Sequence, residues 1–370
     1  MRCANGTLPR YSAVMRTLIR PTGFVDSPFG HDGKVARLAG GLNWFASVEL
    51  LKIEGSRRVS TELLSVEQLE ARIDDELLDQ WKLLTSPRAP LQLGDRTIRL
   101  DQPKVMGIVN VTPDSFSDGG KFADGSKAAA EGARMSEAGA AIVDIGGEST
   151  RPGAKPVWEG DEIARIEPVI RQLASGGAAV SVDTRKADVM TAAITSGARM
   201  VNDVSALTYD LRSAEVIASA GVPVVLMHHQ GKPETMQQDP RYDDVVIEVY
   251  QWLEERIAEA EEAGIARDRI LLDVGFGFGK TVAHNLELTN NLALFHSLGC
   301  PLVFGASRKR TIGALSNEAY PDERLGGSIA FAMKAVEQGL QLLRVHDVPE
   351  TVQALRVWRG LRDQALTPRG

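Results

Sequence analysis

Cysteine is nearly missing from this chain: Cys3 and Cys300 are the two among 370 residues. Two cysteines build no disulfide framework, and no CxxC or Cys/His pair stands at metal-ligand spacing, which argues against a stapled secreted scaffold and against zinc. A reducing, cytoplasmic location is the expectation. Long apolar runs are missing too, since none approaches the roughly 18 residues that span a bilayer. Basic charge is in deficit: 42 Lys and Arg against 49 Asp and Glu leave a formal charge of −7, with no basic stripe to follow phosphates. That argues against a nucleic-acid surface. Acidic residues are absent before Asp26, whereas Arg2, Arg10, Arg16 and Arg20 are present. An organellar transit segment and a disordered leader are both open readings of that stretch. A phosphate loop is also lacking. GFGFGKT at 275–281 would need glycine at 274, where Val274 stands, so its glycines are read as allowing close backbone approach in a loop.

What is present divides at about residue 90. Residues 1–90 form an extension of unknown role, with 21–84 folded as a small α+β unit. It holds a strand in ASVELLKIEG, a capping-box spacing at Ser65 and Gln68, a helical run through Leu84 and a linker at TSPRAP. LQLGDRTIRL (91–100) predicts a β-hairpin turning at Gly94-Asp95. From 101 to 363 a single unit recurs. Apolar strands read at 105–109, 141–145, 179–182, 199–202, 222–227, 270–274, 301–305 and 341–345. Helical patterns follow at 126–139, 159–175, 186–197, 211–220, 243–263, 284–298, 323–339 and 349–362. Eight strand–helix units predict an α/β fold, a (β/α)8 TIM barrel; a doubly wound open sheet is the runner-up.

In such a barrel the chemistry lies at the C-terminal strand ends. Those ends read Asn110, Asp144, Asp183, Asn202-Asp203, His228-His229, Asp273, Ser307-Arg308-Lys309-Arg310, and Arg344 with His346. All eight are polar, which suits a mouth lined for a polar ligand. Simpler readings stand beside this one: Asp144 or Asp183 could cap a helix, and Asn202 could satisfy loop amides. His228 and His229 face opposite sides of a strand and do not share a metal ion. Arg151, Arg308, Lys309, Arg310, Arg344 and His346 suit a phosphorylated or pyrophosphorylated substrate. Asp183, Asn202 and Asp273 suit a flat aminopyrimidinone-type heterocycle.

The strings GIVNVTPDSFSDGG, DIGGESTRPGA, SVDTRK, VNDVSAL, LMHHQGKPETMQ, LDVGFGFGK, GASRKRTIG and RVHDVPET closely resemble the dihydropteroate synthase family, in the family's order, over 105 to about 357. The resemblance implies a transferase of folate synthesis, the target of sulfonamides. It condenses 6-hydroxymethyl-7,8-dihydropterin pyrophosphate with p-aminobenzoate to 7,8-dihydropteroate and pyrophosphate, with Mg²⁺ required. It implies that Asp183, Asn202, Asp273 and Lys309 hold the pterin, with Asp144 and Met227 in the same pocket. Asn110, Arg344 and His346 would bind pyrophosphate, Asn110 also ligating Mg²⁺. Phe116, Asp118, Thr150, Arg151, Pro152, Phe278, Lys309 and Arg310 would form the p-aminobenzoate site. The catalytic set implied is Asp144, Asp183, Lys309, Arg344 and His346, working by an SN1-like route. A homodimer through the helix at 323–339 is expected, with no nucleic-acid or membrane partner. Departures from the family pattern are Val274 for proline, His229 and Lys232 for Met and Thr, and Arg310 where Ser is common; none removes a catalytic group. Alternatives are a non-catalytic pterin-binding barrel and a methyltetrahydrofolate-dependent methyltransferase.

Overall fold

The computed structural model describes residues 15–111, 120–149, 156–231 and 235–367. The chain opens with an antiparallel sheet of β1 (Met15–Val25), β2 (Ala36–Arg37), β3 (Trp44–Glu54) and β4 (Arg57–Ser65). β3 is central, with β1 on one side and β2 and β4 on the other. The strand expected in ASVELLKIEG is β3. The leader reading is corrected for residues 15–25: they form β1, in register with β3 from Met15↔Glu54 to Val25↔Trp44. Its arginines are not unpaired leader charges, because Arg16 meets Glu254 and Arg20 meets Glu49.

The Ser65–Gln68 capping box forms as expected, with Gln68 N–H donating to Ser65 Oγ at 3.1 Å and Ser65 N–H to Gln68 Oε1 at 2.8 Å. The helical run after it is broken into α1 (Val66–Glu70) and α2 (Asp75–Thr85), the second restarted by the Asp74 cap.

Alternation of side chains along a strand gives this sheet two apolar faces. Ile19, Phe45, Val48 and Leu50 pack with Leu69 and Leu84 beneath its own helices. Leu18, Leu51 and Ile53 point the other way and join Tyr250, Leu253 and Phe295 of the barrel's outer layer. The predicted linker is docked rather than free. Arg88 is buried and donates to the carbonyls of Leu83, Ser86 and His296 at 2.8, 3.2 and 2.8 Å.

β5 (Leu91–Leu93) and β6 (Arg96–Ile98) form the expected hairpin about Gly94 and Asp95, with Gly94 at φ +65° as such a turn requires. Then come β7 (Lys104–Asn110), β8 (Ile142–Gly146), β9 (Val180–Asp183), β10 (Met200–Asp203), β11 (Val224–Met227), β12 (Ile270–Asp273), β13 (Leu302–Phe304) and β14 (Leu342–Val345). All are parallel, and β14 pairs with β7 to close the barrel. The outer ring is α3 (Gly120–Ala138), α4 (Glu159–Ser175), α5 (Ala187–Ser196), α6 (Ser213–Ala220), α7 (Val245–Glu262), α8 (Val282–Asn290), α9 (Arg310–Leu315), α10 (Leu325–Glu337) and α11 (Val348–Ala365). The helix expected at 284–298 stops at Asn290 and continues as a 3-10 turn at Leu292–Leu298, and the short α9 was not anticipated.

The barrel axis is apolar at one end and polar at the other. Met106, Ile142, Ala179, Met200, Val225, Leu271, Val303 and Leu342 form one layer, sealed from below by Leu91, Leu93, Ile98 and Leu100 of the hairpin. Two residues further along each strand the inward position recurs. It is occupied by Ile108, Asp144, Ser181, Asn202, Met227, Asp273, Gly305 and Arg344, polar or open on all strands but those of Ile108 and Met227. The site is built on this second layer.

Candidate active site

Asp144 and Asp183 sit on adjacent strands, Asp144 opposite Ser181 and Asp183 opposite Asn202. Arg344 reaches across from β14 and ties them together. Its Nε donates to Asp144 Oδ2 at 2.7 Å and its Nη2 to Asp183 Oδ2 at 2.6 Å. Asn202 Nδ2 adds a third donor, to Asp144 Oδ2 at 3.0 Å. Asp144 is fully buried, and Asp183, Asn202 and Asp273 nearly so. Three buried oxygens in this cluster have no partner among the described residues: Asp144 Oδ1, Asp183 Oδ1 and Ser181 Oγ. Unpaired buried acceptors are costly, so their presence on one barrel axis marks them as waiting for N–H donors from a ligand. Gly146 and Gly305 keep space open above them. A Cβ on Gly146 would meet Asp183 Cβ at 3.6 Å and Asn110 Oδ1 at 3.7 Å, and one on Gly305 would meet Arg344 Cβ at 3.6 Å.

Burial raises the Asp183 carboxyl above the usual carboxylate range, Arg344 opposing this and Asp144 adding to it. Burial also raises Asp273, against the pull of Lys309. Asp273 Oδ1 accepts Gly275 N–H at 2.7 Å. The Lys309 ammonium, lowered by burial to about 8 with Asp273 opposing, bonds the Phe276 carbonyl and lies 4.7 Å above the Phe278 ring. Met227, buried, stands opposite Asp273 and supplies an apolar wall.

Asn110 ends β7 half-buried, and His346 follows β14 with Nδ1 3.0 Å from Ser307 Oγ. Thus Asp144, Asp183, Asn202 and Arg344 form one direct network, with Asp273, Lys309 and Phe278 beside it. Two cations of the expected phosphate corner make no contact with this network among the described residues. Arg308 pairs with Asp347, and Arg310 is exposed at the start of α9. Phe116, Asp118, Thr150, Arg151, Pro152 and Lys232 lie outside the described residues.

The glycines at 275–279 do allow close approach. A Cβ on Gly275, at φ +69°, would lie 1.7 Å from His228 O, and one on Gly279 2.4 Å from Gln230 O. His228 faces away from the axis, edge-on to Trp252 at 4.9 Å, with Lys280 Nζ 2.8 Å from its Nδ1. Burial pushes both groups well below their usual ranges. A buried ion network roots the second strand–helix loop: Lys186 Nζ reaches Glu162 at 2.6 Å, Glu148 at 2.9 Å and the Val157 carbonyl at 2.7 Å. Sequence reasoning passed over Ser181, Lys186 and Lys280, and placed Ser307 at a strand end without giving it a partner. Strand parity counted from the apolar layer would have found Ser181. Nothing in the sequence alone marks the other three as partners.

The family model of the pterin binding enzymes matches residues 106–346. The dihydropteroate synthase of Escherichia coli strain K12 is 48% identical over 262 residues, covering 70% of this chain and 92% of that protein. Among solved structures, the Xanthomonas albilineans dihydropteroate synthase with 4-aminobenzoic acid is 48% identical with a TM-score of 0.71, covering 76% of this chain and all of that one. The same enzyme in complex with 7,8-dihydropteroate gives 45% identity and a TM-score of 0.68, over 75% of this chain and 100% of that one. The fold and site define a pterin-binding barrel enzyme, a transferase. The chain belongs to the dihydropteroate synthase family.

Proposed function

We propose that this chain condenses 6-hydroxymethyl-7,8-dihydropterin pyrophosphate with p-aminobenzoate, giving 7,8-dihydropteroate and pyrophosphate. The observation that carries the reading is the pair of buried oxygens on Asp144 and Asp183 without a partner among the described residues, beside Asn202 and Asp273. A reduced aminopyrimidinone ring offers the N–H donors these acceptors lack. Met227 gives its face an apolar contact, and Lys309 supplies a donor toward the ring's carbonyl side. Arg344 borders the pterin and pyrophosphate regions, holding both carboxylates in place.

In the reaction the arylamine nitrogen forms a bond to the pterin methylene carbon, and the carbon–oxygen bond to pyrophosphate breaks, its electron pair leaving on oxygen. The arylammonium then loses its extra proton to water. An arylamine is neutral near pH 7, so no strong base is needed to start. The difficult part is the departing polyanion, and donors aimed at it from Asn110, Arg344 and His346 lower that barrier. Asp144 and Asp183 place negative charge near a methylene that becomes cationic, which favours an SN1-like path. Magnesium is part of this proposal. Asn110 offers a hard carbonyl oxygen, and no cluster of three or more acidic, His or Cys ligands stands among the described residues. That set suits an ion carried in by substrate phosphates rather than one held in a protein cage. When bound, it supplies charge neutralisation on the leaving group.

A homodimer is proposed through α9, α10 and α11, supported by exposed Leu315, Tyr320, Leu325, Val357 and Leu361. A cytoplasmic location is supported by the cysteine content, and no helix among the described residues is long and apolar enough to cross a membrane. Calorimetric titration with 6-hydroxymethylpterin tests the pocket directly. Binding that Asp273→Asn and Asn202→Ala each weaken by at least about tenfold is expected, from the loss of one buried hydrogen bond. Unchanged affinity in both would remove the pterin from this site.

A further inference from the structure

Ser307 is buried, and both hydrogen bonds that its side chain makes among the described residues go to one residue. Its Oγ accepts the backbone N–H of His346 at 3.2 Å and lies 3.0 Å from the Nδ1 of the same histidine. A serine hydroxyl has one proton and two lone pairs. One lone pair is taken by the backbone N–H. The hydroxyl proton then has a single acceptor among the described residues, which is His346 Nδ1. Were Nδ1 itself protonated, the hydroxyl proton would be left buried with no acceptor, a costly arrangement.

We propose that Ser307 is a positioning residue that fixes His346 as the tautomer protonated at Nε2. The ring then presents an N–H donor rather than a lone pair from its outer nitrogen. Resting on the reading that His346 faces the pyrophosphate, this makes the histidine a hydrogen-bond donor to the departing oxygen. It does not act as a base toward the arylamine. The specificity is chemical: an N–H donor stabilises an anionic leaving group in a polar pocket.

The test is nitrogen-15 NMR of the full chain labelled at histidine, at mildly alkaline pH, with the His346 signals identified by their loss in His346→Gln. The wild-type ring is expected to show a pyrrole-type Nε2 and a pyridine-type Nδ1. Ser307→Ala is expected to mix the two tautomers. It should also lower kcat about tenfold, the worth of one hydrogen bond, with little change in KM for p-aminobenzoate. Ser307→Thr, which keeps the hydroxyl, should retain the wild-type tautomer. A wild-type ring protonated at Nδ1, or a tautomer unmoved by Ser307→Ala, overturns the proposal. A fixed Nε2–H tautomer in a wild-type chain that releases no pyrophosphate would uphold the Ser307 assignment and defeat the functional reading instead.

Discussion

Arg344 Nη2 lies 2.6 Å from Asp183 Oδ2, a charge-assisted bond that joins the last barrel strand to the third across the axis. The same guanidinium holds Asp144, so one cation positions two carboxylates whose Oδ1 atoms have no partner among the described residues. Asp183→Asn keeps the shape but removes the charge that orders Arg344 and that, in the proposed site, accepts from the pterin. We expect kcat/KM for the pterin pyrophosphate to fall at least about 100-fold, as for loss of a charged hydrogen bond, with the fold retained by circular dichroism. Near-normal turnover would remove Asp183 from the site.

Lys309 titrates at about 8 because burial disfavours its charge, Asp273 restoring part of it. As pH rises through that value the free enzyme loses the cation. Burial raises Asp183 and Asp273, so both gain protons as pH falls. A bell-shaped profile of kcat/KM follows, with its alkaline limb near 8. Lys309→Arg, whose charge persists, should move that limb upward; an alkaline limb unmoved in this variant would assign it to another group.

Lys186 is the counter-charge for Glu148 and Glu162, all three almost wholly buried. Lys186→Met removes the one cation on Glu162 and leaves Glu148 with Arg185 alone, and should destabilise the chain by about 3–5 kcal/mol, read from the urea midpoint. Adding Glu162→Gln should recover much of that loss. Equal midpoints for wild type and Lys186→Met would show that the network contributes little.

The N-terminal sheet covers barrel residues Tyr250, Leu253 and Phe295 with Leu18, Leu51 and Ile53. A chain starting at residue 91 should therefore bind a hydrophobic dye and melt below the full chain. By contrast Arg16→Ala, which breaks a half-exposed pair with Glu254, should change stability by less than about 1 kcal/mol. A truncated barrel that binds no dye and melts with the full chain would show that the sheet is only appended.

The barrel was legible because each strand is a short, largely apolar run buried on both faces, and because polar residues recur at the end of each. The N-terminal sheet was less so. β4 is an edge strand with Val59 and Leu63 exposed, so burial imposes no alternation on it. β1 carries Pro21, Gly23 and two arginines, which resemble leader composition until Glu254 and Glu49 are brought to them by the fold. At the site, residue types at strand ends pointed to Asp144, Asp183, Asn202 and Asp273. They could not show that Arg344 lies on the two carboxylates, or that Arg308 turns away to Asp347. Long side chains choose among partners that only the closed barrel supplies.

The most direct test of the central claim is pyrophosphate release from 6-hydroxymethyl-7,8-dihydropterin pyrophosphate, with and without p-aminobenzoate and Mg²⁺. Release that requires both, matched by an equal amount of 7,8-dihydropteroate, is the predicted result. Pterin binding without release, or release indifferent to the arylamine, would contradict it.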